Sequence, residues 1–392
     1  MRIAIVHYWL LGMRGGEAVL EEMIRCYPEA DIYTHVYAPE RVSPLIRSRP
    51  VTETFVGRLP GARRRHELFL PLMPRALEEL DLTGYDLVIS SESGPAKGVI
   101  AHPDATHVCY CHSPMRYLYD HYPQYRATLG PLKRALFSHL AHRLRVWDTV
   151  ASARVDRFVA NSRFVARRIA RAYGREASVV HPPVDLAAFG GAPAVERDGG
   201  YLVVSQLVPY KRVDIAVEAF RRLGKPLTVA GDGPMAERLA AGAPANVRFL
   251  GRVDGTTLRE LYARSRALVF PGEEDFGIVP VEAIASGCPV IAYGRGGALD
   301  TVTDGETGVL FGAQTAEALA ATVLRFEGLS FPAERVAAAA ERFSAERFRT
   351  AFMAEVAQAM AAKAASGEAM QPAGGGAAQP VPGPRIAAAG RS

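Results

Sequence analysis

Short apolar runs rich in β-branched residues alternate with helical patterns along almost the whole chain, and no other feature narrows the fold as much. "RIAIVHY", "DIYTHVY", "DLVISSES", "THVCYCH" and "RFVANS" read as strands in the first part of the sequence. "SVVHP", "YLVVSQL", "LTVAGDG", "VRFLGRV", "ALVFPG" and "PVIAYG" continue the series after residue 176. Between them, residues 17–27, 164–173, 213–223 and 256–265 have helical spacing. Such alternation predicts parallel sheets covered by helices, and this many strands exceeds one ordinary open sheet. The expected class is α/β, with two doubly wound Rossmann-like domains facing a central cleft. Prolines and glycines gather in "HPPVDLAAFGGAP" at 181–193. The boundary is therefore set between an N-terminal domain over 1–180 and a C-terminal domain over 181–344. An alanine-rich helix over 345–365 has the length to return to the first domain. Residues 366–392 lack apolar periodicity and are expected to be disordered.

The 392 residues, nearly half of them hydrophobic, suffice for two cores. No run approaches the ~20 apolar residues of a membrane span. Met1 leads straight into "RIAIVHYWL" without a signal-peptide pattern, so a cytoplasmic protein is expected. Cys109 and Cys111 in "CYCH" share one side of a strand beside His112, but no second cluster supplies further metal ligands. Buried thiols are the expectation, and no metal is called for. The net charge of +5 is uneven: residues 1–180 carry 25 Lys and Arg against 18 Asp and Glu, and the rest 21 against 23. No basic stripe with interleaved aromatics accompanies the excess, which argues against nucleic acid. An anionic membrane surface or a phosphate-bearing partner fits better.

The stretch "EEDFGIVPVEAIASG" places Glu274 and Glu282 around a Phe-Gly-Ile step and Pro280. Proline is tolerated in a first helical turn and disfavoured inside a helix. A loop carrying Glu274, Phe276 and Gly277 is expected, then a helix from about Ile278 with Glu282 in its first turn. Two acceptors would then flank unpaired helix N–H groups, a site for an anion with hydroxyls on either side. In "SQLVPYKRVDIAVEAF", Lys211 and Arg212 stand beyond a strand, where a phosphate or plain solvent could meet them. "GMRGGEAVLEE" brings Gly15 and Gly16 before a helix, as a ligand loop or as a tight turn. Asp232 in "VAGDGP" is read equally as a turn residue or a nucleotide contact. His112 ends a strand on the side of the cleft, and a lone histidine there is read as a structural one or as a group facing a ligand. Two basic amphipathic stretches, "GRLPGARRRHELFLPLMPRALEEL" and "KRALFSHLAHRLRVW", could lie on an inner-membrane surface, with ordinary packing into the domain as the alternative.

Glu274 and Glu282 in this motif, preceded by "VPYKR" and "AGDGP", resemble the family 4 retaining glycosyltransferases of the GT-B fold. "GGE", "CYCHSPMRY" and "FVANSRFVARRI" are similar to the polysaccharide mannosyltransferase branch. The resemblance implies transfer of a sugar from a nucleotide sugar, GDP-mannose first and a UDP-hexose second, to a glycan or lipid-linked acceptor. By matching position it implies that Glu282 accepts from the ribose and Glu274 holds donor-sugar hydroxyls. The N–H groups of Phe276, Gly277 and Ile278 would face the sugar and diphosphate, and Lys211, helped by the Gly15–Gly16 loop, would neutralise the leaving phosphate. His112 would stand near the reacting centre, and Arg252 and Val253 beside the base. No Asp-x-Asp occurs, so no metal is expected on the diphosphate. Gln206 stands where the family usually has arginine, and Arg212 is expected to make up the missing charge. A sugar-nucleotide epimerase, a glycoside hydrolase and a non-catalytic sugar-nucleotide-binding protein are the alternatives.

Overall fold

The computed structural model describes residues 1–190, 197 and 200–370. Seven strands build the first sheet: β1 (Ile3–His7), β2 (Asp31–Thr34), β3 (Val51–Glu53), β4 (Leu87–Glu92), β5 (Thr106–Cys111), β6 (Arg157–Ala160) and β7 (Ala177–Val179). Their order is β3-β2-β1-β4-β5-β6-β7 and every pairing is parallel. The second sheet holds β8 (Tyr201–Val204), β9 (Leu227–Ala230), β10 (Val247–Gly251), β11 (Ala267–Phe270), β12 (Val290–Tyr293) and β13 (Gly308–Phe311). It runs β10-β9-β8-β11-β12-β13, again parallel throughout. The α/β class with two doubly wound sheets is thus the one the alternation predicts.

Every residue of β1, β4 and β5 is buried, as a sheet covered on both faces requires. Two strands escaped the pattern. β3 is the short, part-exposed "VTE", and β13 opens on Gly308 at the end of a turn-rich stretch. In each sheet the order reverses beside its first strand, between β1 and β4 and between β8 and β11. Connections leave such a point in opposite directions and open a crevice beyond the carboxyl ends.

The helices that position the site are α1 (Gly15–Cys26), α2 (Pro131–Ser152), α3 (Arg163–Tyr173), α4 (Val213–Leu223), α5 (Gly255–Arg264), α6 (Ile278–Ala285) and α7 (Ala345–Met370). Caps fix two of their starts: Ser162 Oγ accepts the N–H of Val165 at 3.0 Å, and Asp254 that of Thr257 at 2.8 Å. The last helix belongs to the first core. Phe348, Phe352 and Val356 join β1, β4 and β5 there, with the Phe348 and Phe352 rings 5.7 and 6.0 Å from Tyr110. Ion pairs Arg349–Glu22 (2.6 Å) and Arg157–Glu355 (2.5 Å) fasten it further. α7 continues to Met370, beyond its expected end at 365; the remainder of the expected disordered tail lies outside the described residues.

The two amphipathic stretches divide their apolar residues. On α2, Ala141 and Leu144 are buried and Trp147 donates to Glu78 at 3.1 Å, whereas Leu132, Leu136, Val146 and Val150 are exposed. In the other, Met73 is buried while Leu68 and Leu72 face solvent. Cys109 and Cys111 are buried thiols packed with Val155 and Phe158. Among the described residues no helix is long and apolar enough to cross a membrane.

Candidate active site

The carboxyl ends of the two sheets meet across a cavity of about 430 Å³. From the first domain, Gly15, Gly16, Ser93, His112, Arg116 and Asn161 line it; from the second, Tyr210 and residues 274–279 do. A Cβ on Gly15 would collide with the side chain of Ile278, and one on Gly16 with the Tyr8 hydroxyl. Glycine there lets the start of α1 lie directly against the start of α6. On the facing side the chain leaves β11 and turns into α6 at Gly277, whose φ of 91° suits glycine. Pro280 falls in the first turn of α6, where the missing N–H costs nothing. The N–H groups of that turn have no partner within the helix and carry the positive end of its dipole.

Glu274 lines the cavity and forms an ion pair with Lys211. Lys211 itself lies behind that wall, its main chain against Gly272 in the loop after β11. Glu282 is the fifth residue of α6, past the first turn where it was expected. It accepts the Tyr262 hydroxyl at 3.0 Å, and burial raises its pKa although that bond opposes the shift. Gln206, Asp232 and Arg252 are exposed on neighbouring loops beyond β8, β9 and β10. Those loops are tied together by Leu207 N–H to Asp232 C=O (2.9 Å) and Gly231 N–H to Gly251 C=O (2.7 Å). Asp232 accepts the N–H of Gly233 at 2.7 Å, a turn contact, and Val253 packs on the core around Tyr262. Arg212 points elsewhere than the expected charge compensation requires. Its φ of 53° closes the turn into α4, and its guanidinium pairs with Asp214 at 3.1 Å and reaches Gln314 at 3.5 Å. Thus Phe276, Gly277, Ile278, Glu274, His112, Gly15 and Gly16 share one cavity. Lys211, Gln206, Arg212, Asp232, Arg252, Val253 and Glu282 lie outside its lining.

His112 follows β5, and its main chain is held by N–H to Glu92 C=O (2.7 Å) and by Asn161 Nδ2 donating to its carbonyl (2.9 Å). Its Nε2 lies 2.9 Å from Ser91 Oγ. Burial pushes its pKa down to about 4, against a smaller opposing pull from Asp275, so it is neutral near pH 7. Asp275 binds the domains together. Its carboxylate accepts Arg116 Nε at 3.0 Å and Arg168 Nη1 at 2.6 Å, both from the first domain. Its carbonyl accepts the Ser162 hydroxyl. Burial alone would raise its pKa, but the two guanidiniums outweigh burial and hold it below the usual carboxylate value. Removing one partner from so buried a pair leaves a charge uncompensated.

A family model described as "Glycosyltransferase Family 4" matches residues 13–188, and one described as "Glycosyl transferases group 1" matches residues 192–343. Each half of the chain is thus matched by one glycosyltransferase family model. The D-inositol 3-phosphate glycosyltransferase of Geodermatophilus obscurus is 35% identical over 256 residues, 56% of each chain. That of Mycobacterium tuberculosis is 34% identical over 182 residues, 40% of this chain and 37% of its own. The chain thus spans about half the length or less of these curated relatives. Among solved structures, Anabaena HepE in complex with UDP and glucose superposes with a TM-score of 0.64 at 18% identity, covering 91% of this chain and 99% of that one. The lipopolysaccharide outer core galactosyltransferase WaaB gives 0.65 at 17%, covering 91% and 99%. The two domains therefore adopt the GT-B arrangement.

Within this GT-B pair, Asp275, Arg116, Arg168, Asn161 and Ser91 went unnoticed in the sequence. Asp275 stands inside the carboxylate motif, Arg116 in "CYCHSPMRY" and Arg168 in "FVANSRFVARRI", so each was in view. Only their pairing, across 159 and 107 residues of chain, was not.

Proposed function

We propose that the chain is a retaining hexosyltransferase. It takes a hexose from a nucleoside diphosphate and passes it, with the anomeric configuration kept, to a glycan or lipid-linked acceptor. One observation carries this reading: Glu274, the mouth of α6, His112 and the Gly15–Gly16 loop converge on one cavity between the carboxyl ends of two parallel sheets. A departing nucleoside diphosphate gains negative charge as the glycosidic bond breaks. Fixed N–H dipoles and cations therefore bind the transition state more tightly than the ground state. The first turn of α6 supplies the dipoles, and Lys211 the charge, once a phosphate draws it from Glu274. Glu274 then holds hydroxyls of the sugar, and Glu282 with Tyr262 meets the ribose at the far end of α6. Asp232, Arg252 and Val253 form the rim beside the base.

Gln206 contributes no charge, and Arg212 is held by Asp214. Arg116, the one arginine or lysine lining the cavity among the described residues, brings its charge there from the first domain while Asp275 holds it in place. GDP-mannose is the donor assigned from the motif resemblance, and catalysis proceeds without a metal. A UDP-hexose is the second reading, favoured by the UDP bound in the HepE structure. The exposed Leu132, Leu136, Val146 and Val150 of α2, with Arg143 nearby, form a peripheral contact with the cytoplasmic membrane face.

Thermal-shift measurements with GDP, UDP and ADP, followed by turnover of GDP-mannose and UDP-hexoses with and without EDTA, test the proposal. One diphosphate is expected to raise the melting temperature, and its sugar derivative to turn over in EDTA. Absence of any shift and any turnover overturns it. Co-sedimentation with anionic vesicles tests the membrane contact.

A further inference from the structure

Behind His112 the first sheet carries a line of hydrogen bonds into the core. His7 closes β1, and Ser91 stands opposite it on β4; both are fully buried. Ser91 Oγ is 3.0 Å from His7 Nδ1 and 2.9 Å from His112 Nε2. A hydroxyl has one proton to give, and burial holds both histidines neutral by depressing their pKa values. The line can therefore run in two directions. In one, His7 Nδ1–H donates to Ser91, Ser91 donates to His112 Nε2, and the proton of His112 is on Nδ1. In the other, His112 Nε2–H donates to Ser91, Ser91 donates to His7 Nδ1, and the proton of His7 is on Nε2.

His7 Nε2 decides between them. It is buried and has no hydrogen-bond partner among the described residues. An orphaned buried N–H is rarer in proteins than an under-used acceptor, so Nε2 is the bare nitrogen and Nδ1 carries the proton. We propose that His7 and Ser91 are positioning residues that lock His112 in its Nδ1–H form, so that it meets the cavity as a hydrogen-bond donor and not as a base. With Nε2 engaged by Ser91, Nδ1 is the nitrogen left for a ligand in the cavity that His112 lines. Such a group binds a hydroxyl or phosphate oxygen. It takes no proton from an incoming acceptor.

Histidine 15N spectra of the whole protein test this directly, with the His112 signals identified by their loss in His112→Gln. The wild type is expected to show Nδ1 protonated, and Ser91→Ala to shift His112 toward the Nε2–H form. The kinetic arm rests on the transferase reading. There Ser91→Ala lowers kcat about tenfold, the worth of one hydrogen bond, with the KM for the sugar donor within about twofold. His7→Asn, which keeps an N–H at the Nδ1 position, retains activity that His7→Leu loses. An Nε2-protonated His112 in the wild type overturns the proposal, as does an unchanged tautomer in Ser91→Ala. If no variant and no wild type turns over any sugar nucleotide, the transferase reading fails while the spectra still decide the tautomer. Should His7→Leu not fold, the wild-type and Ser91→Ala spectra suffice.

Discussion

The two sheets share a strand order yet hold charge in different ways. Nine of the ten histidines, from His7 to His142, lie in the first domain, which also seals Lys97, Glu92 and Asp148 from water. Lys97 donates to Glu92 at 2.7 Å, to Asp148 and to the Tyr173 hydroxyl at 3.2 Å, three donors with three partners. Lys211 in the second domain pairs with one carboxylate, Glu274, and the two side chains stay 16% and 19% exposed. A lysine whose protons are all taken inside the protein holds the fold. One with protons to spare beside a cavity is available to a ligand. The first domain thus buries a charge cluster that water never reaches, while the second keeps a lysine and its carboxylate partner beside the cavity.

Acid is the strongest way to separate the two. His35 and His107 are buried, and burial pushes both pKa values down to about 4. An unfolded chain takes up their protons near the ordinary 6.5, so their contribution is whole above that pH and is lost as pH falls from about 6.5 to 4. Each is worth roughly 3 kcal/mol on that interval. Trp9 and Trp147 both belong to the first domain, so tryptophan fluorescence reads it alone. Its acid transition is expected at higher pH than that of residual far-UV circular dichroism; coincident transitions break the contrast. Next in size, Lys97→Met leaves two buried carboxylates without their cation and costs about 3–5 kcal/mol, read as a fall in melting temperature. Lys211→Ala reverses the pattern. It should lower kcat about 10²–10³-fold, while its cost in stability stays below that of Lys97→Met because Glu274 keeps some contact with water beside the cavity. Arg212→Ala has the smallest effect, less than about twofold in kcat, because its exposed pair with Asp214 is worth little. A loss comparable to that of Lys211→Ala would return Arg212 to the site.

The sheets were legible because β1, β4 and β5 are unbroken apolar runs, whereas the part-exposed "VTE" of β3 has no such mark. The loop-to-helix turn at Gly277 was legible because Pro280 forbids the alternative of one long helix. Asp275 looked like a third carboxylate in a crowded motif, since its partners lie on distant loops and local spacing cannot couple them. Arg212 looked like a phosphate ligand because it follows Lys211. Its left-handed backbone and Asp214 two residues on turn it aside. Ser91 was hidden for a different reason. A serine inside a buried strand becomes informative only once its two histidines are seen on either side.

Because α7 follows the second domain in the chain yet completes the first core, the ribosome releases the first sheet before its covering helix exists. Tyr110 and its neighbours wait, uncovered, until the whole second domain has been translated. Folding of the first half is thus completed by a helix made after the second domain. The same geometry sets a rule for chimeras. A foreign second domain grafted at residue 181 needs another junction before Ala345, so that each first sheet keeps its own closing helix.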